Sequence, residues 1–305
     1  MKTLCFLLSF FFSLIQLHAQ TPVSNLYLFD LSRNGDTAFT FSKPRFLTNF
    51  NANGYNNHPF FASNDEIYFS SQEPRQEQPD ILRLTLRDTV CTKITDTWEG
   101  EYSPRRAPFD YGKNLHIIRM EFSGKDTLIR LWQINSASFG GFGSRPLFQD
   151  LTNVGYYEWI RPGLIALHLN GNPNSLVAAI PETNNLALIS QRVGRCFKMA
   201  QGTNTLVFLQ KGNAGNNRLM ALDMNTYVMS GAPNPTPLTS PLPGKEDFAV
   251  LRDGTLLMAQ GSQLFKFKPG LDTSWQAIAD FAEYQLTNIS RIEVSSDNSR
   301  IIFVN

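Results

Sequence analysis

The sequence predicts an all-β fold built from repeated four-stranded sheets. The first observation is a unit of two short apolar strands around a polar turn, present at residues 57–71 and again at 291–304. The second is a regular spacing of 42 to 50 residues between the first apolar residues of the second strands, at Ile67, Leu115, Leu164, Leu206, Leu256 and Ile301. A period of about 40–50 residues is typical of propeller blades, so we expect a six-bladed β-propeller.

Each predicted blade begins with a short inner strand, a tight turn and the second strand marked above. The inner strands are predicted at 59–61, 107–109, 158–160, 197–199, 248–250 and 292–294. Third strands are predicted at 81–86, 128–134, 176–180, 218–224 and 264–267, and fourth strands at 91–95, 147–152, 186–190, 236–239 and 275–279. Two β-sandwich domains would also give many short strands, but they predict no regular period.

The last blade is predicted to be completed by strands from both ends of the chain. The sixth unit contains only a first and a second strand, whereas residues 25–31 and 45–48 have the pattern of a third and a fourth strand. We therefore expect residues 26–48, approximately, to pair with the strands of about 290–304. This pairing would remove an open sheet edge, which is otherwise a site of aggregation.

The first 19 residues have the pattern of a secretory signal peptide. Lys2 precedes an apolar run over residues 4–15, and Ala19 is a small residue at the expected cleavage point. A membrane anchor is the alternative, but the run is shorter than the roughly 20 residues of a spanning helix. We interpret residues 20–305 as a single propeller domain of an exported protein, periplasmic or extracellular, without a membrane span and monomeric.

Composition supports a folded domain and excludes some partners. Hydrophobic residues make up 42% of the chain, charged residues 17%, and the net charge is +1. This balance gives no electrostatic reason to expect nucleic acid as a partner. Beyond the signal peptide only Cys91 and Cys196 remain, and the repeat places them three blades apart. We expect two buried free thiols rather than a disulfide.

The turn sequences resemble a known family. Residues 58–71 read His-Pro-Phe-Phe-Ala-Ser-Asn-Asp-Glu-Ile-Tyr-Phe-Ser-Ser, and residues 294–303 read Val-Ser-Ser-Asp-Asn-Ser-Arg-Ile-Ile-Phe. Both are similar to the Pro-x-x-Ser-Pro-Asp-Gly-Lys-x-Ile-x-Phe signature of TolB-like six-bladed propellers, and residues 252–256 keep a shorter part of it. The resemblance implies a periplasmic or exported scaffold that binds proteins, often at the mouth of the central channel.

Candidate binding residues lie on the predicted inner strands, because these strands converge on the central channel. The residues that we expect at the channel mouth are His58, Arg105, Arg106, Tyr157, Glu158, Arg195, Asp247 and Arg291. Arginine forks in this set could bind a peptide terminus or an acidic side chain of a partner. The alternative is that the two signs of charge pair with each other around a water-filled pore.

The sequence contains no pattern that identifies a catalytic or metal site. It has no His-x-x-x-His spacing, no acidic calcium loop and no Gly-x-Ser-x-Gly, so we expect no metal, no cofactor and no catalysis. The expected function is binding of a protein or peptide-like partner in the cell envelope. Two alternatives stay open: a metal-dependent hydrolase of the propeller lactonase type, using Glu158 and Asp247, and a glycan-binding module of the envelope that uses aromatic residues such as Tyr102 and Trp98.

Overall fold

The computed structural model describes residues 21–107, 109, 114–135, 143–200 and 202–305, and the predicted signal peptide lies outside these residues. Within them, antiparallel strands form six four-stranded sheets that follow one another around a ring. The chain is therefore a six-bladed β-propeller, as the repeat predicts. No helix of the described residues is long and apolar enough to cross a membrane.

The first two strands, β1 (Leu26–Asn34) and β2 (Ala38–Phe46), belong to blade 6. After them, the blades follow one another in the order of the chain. Blade 1 contains β3 (Tyr55–Ser63), β4 (Glu66–Gln72), β5 (Asp80–Thr85) and β6 (Cys91–Lys93). Blade 2 contains β7 (Gly100–Arg106), β8 (Asn114–Ser123), β9 (Asp126–Asn135) and β10 (Arg145–Pro146). Blade 3 contains β11 (Val154–Arg161), β12 (Leu164–Leu169), β13 (Ser175–Ile180) and β14 (Asn185–Gln191).

The second half of the ring has the same order. Blade 4 contains β15 (Val193–Ala200), β16 (Thr205–Gln210), β17 (Arg218–Asp223) and β18 (Thr236–Thr239). Blade 5 contains β19 (Ala249–Val250), β20 (Leu256–Gln260), β21 (Gln263–Phe267) and β22 (Gln276–Asp280), and blade 6 adds β23 (Arg291–Val294) and β24 (Arg300–Val304). One short helix, α1 (Met224–Ser230), follows β17; the Asp223 side chain accepts a hydrogen bond from the backbone N–H of Thr226 at its start.

The predicted closure of the ring is confirmed. The sheet of blade 6 has the order β2-β1-β24-β23, and β1 pairs with β24 from Leu26 opposite Val304 to Asp30 opposite Arg300. The strands that complete this sheet thus come from residues separated by most of the chain. Every blade has four strands, and the ring closes through backbone hydrogen bonds.

Blade 2 departs from the predicted strand positions. Its inner strand is Gly100–Arg106 rather than 107–109, and its fourth strand is Arg145–Pro146 rather than 147–152. Pro104 lies inside the observed inner strand, where the pairing of β7 with β8 is irregular between Tyr102 and Arg105.

The core consists of apolar clusters between neighbouring blades. On β24, Ile301 and Phe303 pack towards blade 5, whereas Ile302 and Val304 pack towards blade 1. This division follows from the alternation of side chains along a strand, and it explains why the second strands are apolar at consecutive positions.

The two thiols are free, but only one of them is buried. Cys196 on β15 lies in the cluster between blades 4 and 5, whereas Cys91 is exposed. The expectation of two buried thiols is therefore wrong for Cys91. Its strand, β6, has only three residues and is the outer strand of its blade, so no further strand covers it.

Candidate functional site

The inner strands β3, β7, β11, β15, β19 and β23 line two cavities along the central channel. One cavity, of about 60 Å³, lies towards the end where the inner strands begin, and we call it the mouth; it is lined by residues that include His58, Tyr156, Arg195, Asp247 and Arg291. A second cavity, of about 140 Å³, lies beside the turns where the inner strands end. Arg105, Lys198 and Glu293 line both cavities and therefore mark the boundary between them.

The boundary between the cavities is a network of paired charges. Arg105 Nη1 lies 3.4 Å from Glu158 Oε2 and 3.7 Å from Glu293 Oε1, while Lys198 Nζ lies 2.6 Å from Glu293 Oε2. Burial alone would lower the pKa of Arg105, but the carboxylates of Glu158 and Glu293 raise it overall. Two cations thus face two carboxylates, and this layer carries no net charge.

The mouth contains a second set of ion pairs, centred on Asp247. The Asp247 carboxylate accepts a hydrogen bond from Arg195 Nε at 2.8 Å and another from Arg291 Nη1 at 3.2 Å. The side chain of Asp247 is 10% exposed, whereas that of Arg195 is 43% exposed. One carboxylate therefore serves two guanidinium groups that come from different blades.

An open cleft of about 250 Å³ lies beside the mouth and is lined by Arg195, Asp247 and Arg291 among others. At its edge, Glu246 pairs with Lys211 at 2.6 Å and accepts the backbone N–H of Arg195 at 3.2 Å. Burial raises the pKa of Glu246, but these two partners outweigh it and lower the value overall.

His58 stands at the mouth in an unusual backbone conformation. Its φ angle is +54°, in the left-handed region, where the pairing of β3 with β4 is irregular between Asn57 and Phe60. The Asn57 side chain accepts the His58 backbone N–H at 2.8 Å. The imidazole Nδ1 lies 3.2 Å from the hydroxyl of Tyr55, and the ring also contacts those of Tyr102 and Tyr156.

The surroundings of His58 favour its neutral form. Burial lowers its pKa well below the ordinary value, and the positive charges of Arg291, Arg195 and Arg105 lower it further. The imidazole at this mouth is therefore uncharged at neutral pH.

The structure brings seven of the eight predicted residues around the channel. They are His58, Arg105, Tyr157, Glu158, Arg195, Asp247 and Arg291. Arg106 lies elsewhere: its guanidinium stacks on the Tyr68 ring and pairs with Glu66 at 3.3 Å. Consecutive strand residues point to opposite sides, which explains why only one of the two neighbouring arginines faces the channel.

Tyr157 lines the mouth, but its hydroxyl is already used. The hydroxyl oxygen lies 3.0 Å from the backbone carbonyl of Ser103 and 2.6 Å from that of His116, so its one proton is shared between these two acceptors. Both acceptors belong to blade 2, so the phenol joins blades 2 and 3. Burial raises the pKa of Tyr157 well above its ordinary value.

Sequence reasoning missed two charged residues of the channel, Lys198 and Glu293. Each lies inside a predicted inner strand, between apolar neighbours. A charged residue at the centre of an apolar inner strand is the signal that could have identified them, since such a side chain needs a partner.

No group of three or more histidine, cysteine or acidic side chains in the described part of the chain could hold a metal ion. Asp247, Glu158 and Glu293 are each within ion-pair distance of an arginine or lysine. The carboxylates of the channel are therefore engaged by cations, and the groups that the channel offers to a ligand are its arginines and tyrosines.

Comparison with known proteins supports the fold. No family model matches the chain, and no curated protein matches it. Among solved structures, a TolB-like protein from Agrobacterium tumefaciens is 9% identical with a TM-score of 0.63, and the match covers 92% of this chain and 97% of that one. TolB from Acinetobacter baumannii is 10% identical with a TM-score of 0.57, covering 92% of this chain and 63% of that one.

Enzymes share the fold as well. An oligogalacturonate lyase in complex with manganese is 11% identical with a TM-score of 0.53, and the match covers 90% of this chain and 95% of that one. At these identities the comparisons show the fold alone. The chain has the six-bladed propeller fold of these proteins, and its activity has to be argued from its own residues.

Proposed function

We propose that this protein is an exported, non-catalytic scaffold that binds a protein or peptide-like partner of the cell envelope at the channel mouth. The observation that carries the proposal is the pairing of Arg195 and Arg291 with one carboxylate, Asp247, beside His58 and three tyrosines. Arginine and tyrosine are the residues that most often dominate binding energy in protein interfaces.

The position of the mouth favours a macromolecular partner. The connections between successive blades, such as residues 94–99 and 240–248, all reach the ring at the end where the inner strands begin. Trp98 in one of these connections is 88% exposed. A partner that enters the mouth can therefore also contact several connections, and aromatic side chains at the rim add contact area.

The lactonase alternative would need carboxylates free to bind a divalent ion. In this channel a cation already lies within 4 Å of each of Glu158, Asp247 and Glu293. A divalent ion would have to displace an arginine or a lysine, so these contacts favour the binding function. The envelope glycan alternative rests on the exposed aromatic residues alone.

Binding of a randomised heptapeptide pool to the immobilised protein tests the proposal. We expect the Arg291→Glu and Arg105→Glu variants to retain much less peptide than the native protein. Arg218→Glu is the matched control: Arg218 starts β17, which runs parallel to the inner strand of its blade, so it lies on the same face of the ring but outside the channel. Equal retention by all variants would place the binding surface elsewhere.

Metal analysis of the purified protein separates the enzyme alternative. One stoichiometric divalent ion, lost together with a hydrolase activity in Glu158→Ala, would contradict the scaffold.

Export is tested by mass spectrometry of the protein released by the cells that produce it. We expect the mature protein to begin at Gln20. We also propose a monomer, which light scattering in solution would test.

A further inference from the structure

The mouth of the channel carries an excess of positive charge. Two cations there, Arg195 and Arg291, face one carboxylate, Asp247, while Lys211 and Glu246 at the edge of the cleft pair with each other. The deeper layer around Arg105 is balanced, as described above. The uncompensated charge therefore lies where the channel opens and not within it.

The two arginines keep hydrogen-bonding capacity after pairing with Asp247. Arg195 uses Nε and Nη2 for this carboxylate, and no described residue accepts a hydrogen bond from its Nη1. Arg291 Nη2 is 3.5 Å from the Tyr156 hydroxyl, which is the limit of a hydrogen bond. The Tyr156 ring, 5.7 Å from the guanidinium carbon, holds Arg291 in place.

The imidazole of His58 completes this arrangement. Its Nδ1 is engaged by Tyr55, and no described residue forms a hydrogen bond with its Nε2. The titratable and charged groups that contact it or lower its pKa are Tyr55, Tyr102, Tyr156, Arg105, Arg195 and Arg291, and Asp247 and Tyr157 line the same cavity. A negative group placed in the mouth would offset the three arginines and let His58 accept a proton.

The size of the mouth limits what can enter. Its cavity of about 60 Å³ is large enough for a small group such as a carboxylate. The adjoining cleft of about 250 Å³ can receive the chain that carries the carboxylate.

We propose that the mouth binds a carboxylate of the partner's polypeptide, either its C-terminus or an acidic side chain, between Arg195, Arg291 and His58. This inference rests on the proposed function, and it names the chemical group that the site selects. Guanidinium groups bind carboxylates through charge-assisted hydrogen bonds, and free C-termini are recognised by several peptide-binding proteins.

The test uses one heptapeptide pool without acidic residues in three forms: with a free C-terminal carboxyl, amidated, and amidated with one internal glutamate. We expect the native protein to bind the first or the third form at least about tenfold more tightly than the second, a difference of about 1.4 kcal/mol. The first form binding best identifies a chain terminus, and the third an acidic side chain. Equal binding of all three overturns the carboxylate inference but leaves peptide binding intact, whereas binding of none overturns the proposed function itself.

Variants of the two arginines test whether the ligand carboxylate binds at the mouth. Arg195→Gln and Arg291→Gln each leave Asp247 with one arginine, so both are expected to fold, which thermal melting verifies. Each should remove most of the preference for the carboxylate form, and Arg218→Gln should keep it. Unchanged preference in both mouth variants overturns the assignment.

The pH dependence of binding supplies a second readout. A free carboxylate stays ionised between pH 7.5 and 5.5, so affinity for N-terminally acetylated peptides without histidine should rise as the pH falls if His58 takes up a proton on binding. His58→Asn should abolish this rise, since asparagine tolerates the left-handed backbone but does not titrate. A rise that persists in this variant, or no rise in the native protein, overturns the role of His58.

Discussion

Arg291 on β23 donates a hydrogen bond to Asp247, 3.2 Å away, and so joins blade 6 to blade 5 at the channel mouth. Arg195 on blade 4 donates to the same carboxylate. Asp247 thus has two roles: it ties three blades together, and it neutralises part of the positive charge that would attract an anion. These roles predict opposite effects of removing its charge.

Asp247→Asn should weaken the fold and strengthen anion binding. Leaving a buried charge unpaired costs about 3–5 kcal/mol, but the exposed part of Arg195 reaches water, so we expect about 1–3 kcal/mol less stability in urea. The same change should increase affinity for the free-carboxyl peptide pool. Asp96→Asn, at a side chain that is 82% exposed, is the control and should change neither quantity. Loss of stability together with loss of binding would show that Asp247 contacts the ligand directly.

The fold was largely predictable from sequence because each blade packs against two neighbouring blades, so both faces of its second strand are buried. The strands β4, β12, β16 and β24 are apolar at consecutive positions, since each packs against two neighbouring blades. The inner strand of blade 2 differs from the prediction because its pairing contains an irregularity at Pro104, which local propensity does not predict.

The site was less predictable because side-chain direction depends on pairing geometry. Arg105 and Arg106 are equivalent in sequence, yet one faces the channel and the other packs on Tyr68. The irregularity in β3 likewise determines that His58 meets three tyrosines. Sequence can place such residues on an inner strand, but a one-residue shift in register reverses which of them enters the channel.

The stability of the protein should fall as the pH decreases from 7.5 to 5.5. Burial lowers the pKa of both His58 and His168, so the unfolded chain binds protons below about pH 6.5 that the native protein does not. The free energy of unfolding then decreases by up to about 1.4 kcal/mol per pH unit for each histidine. Urea unfolding at the two pH values should show a smaller decrease for His58→Asn. An equal decrease in both proteins would show that His58 is not held neutral in the native state.

Phe29→Ala should open the contact between blades 5 and 6. Phe29 on β1 is 1% exposed and meets the rings of Phe281, Tyr284 and Phe303 edge-on. Truncating a buried phenylalanine costs about 3–5 kcal/mol, which would be measured as a lower urea midpoint. Phe122→Ala is a matched control at a side chain that is 56% exposed, and it should cost well under about 1 kcal/mol. Similar losses in the two variants would contradict the closure of the ring by β1.

Glu101→Gln should be among the most damaging conservative changes outside the channel. Glu101 is fully buried, and its Oε1 accepts hydrogen bonds from Arg119 Nε at 3.0 Å and Nη2 at 2.7 Å, while the guanidinium stacks on Trp132. Burial raises the pKa of Glu101, and the charge of Arg119 opposes that rise. Glutamine keeps the shape but leaves a cation without its counter-charge, which we expect to cost about 3 kcal/mol.

A second substitution tests whether the loss of stability in Glu101→Gln comes from the unpaired charge of Arg119. Because the cost comes from the unpaired charge, Glu101→Gln combined with Arg119→Met should recover part of the lost stability in urea unfolding. If the double variant is no more stable than Glu101→Gln alone, the loss arises from packing of the Arg119 side chain on Trp132 and not from charge. The ion pair between Lys93 and Asp96 gives the comparison at the surface, where Asp96→Asn should change stability by less than about 0.5 kcal/mol.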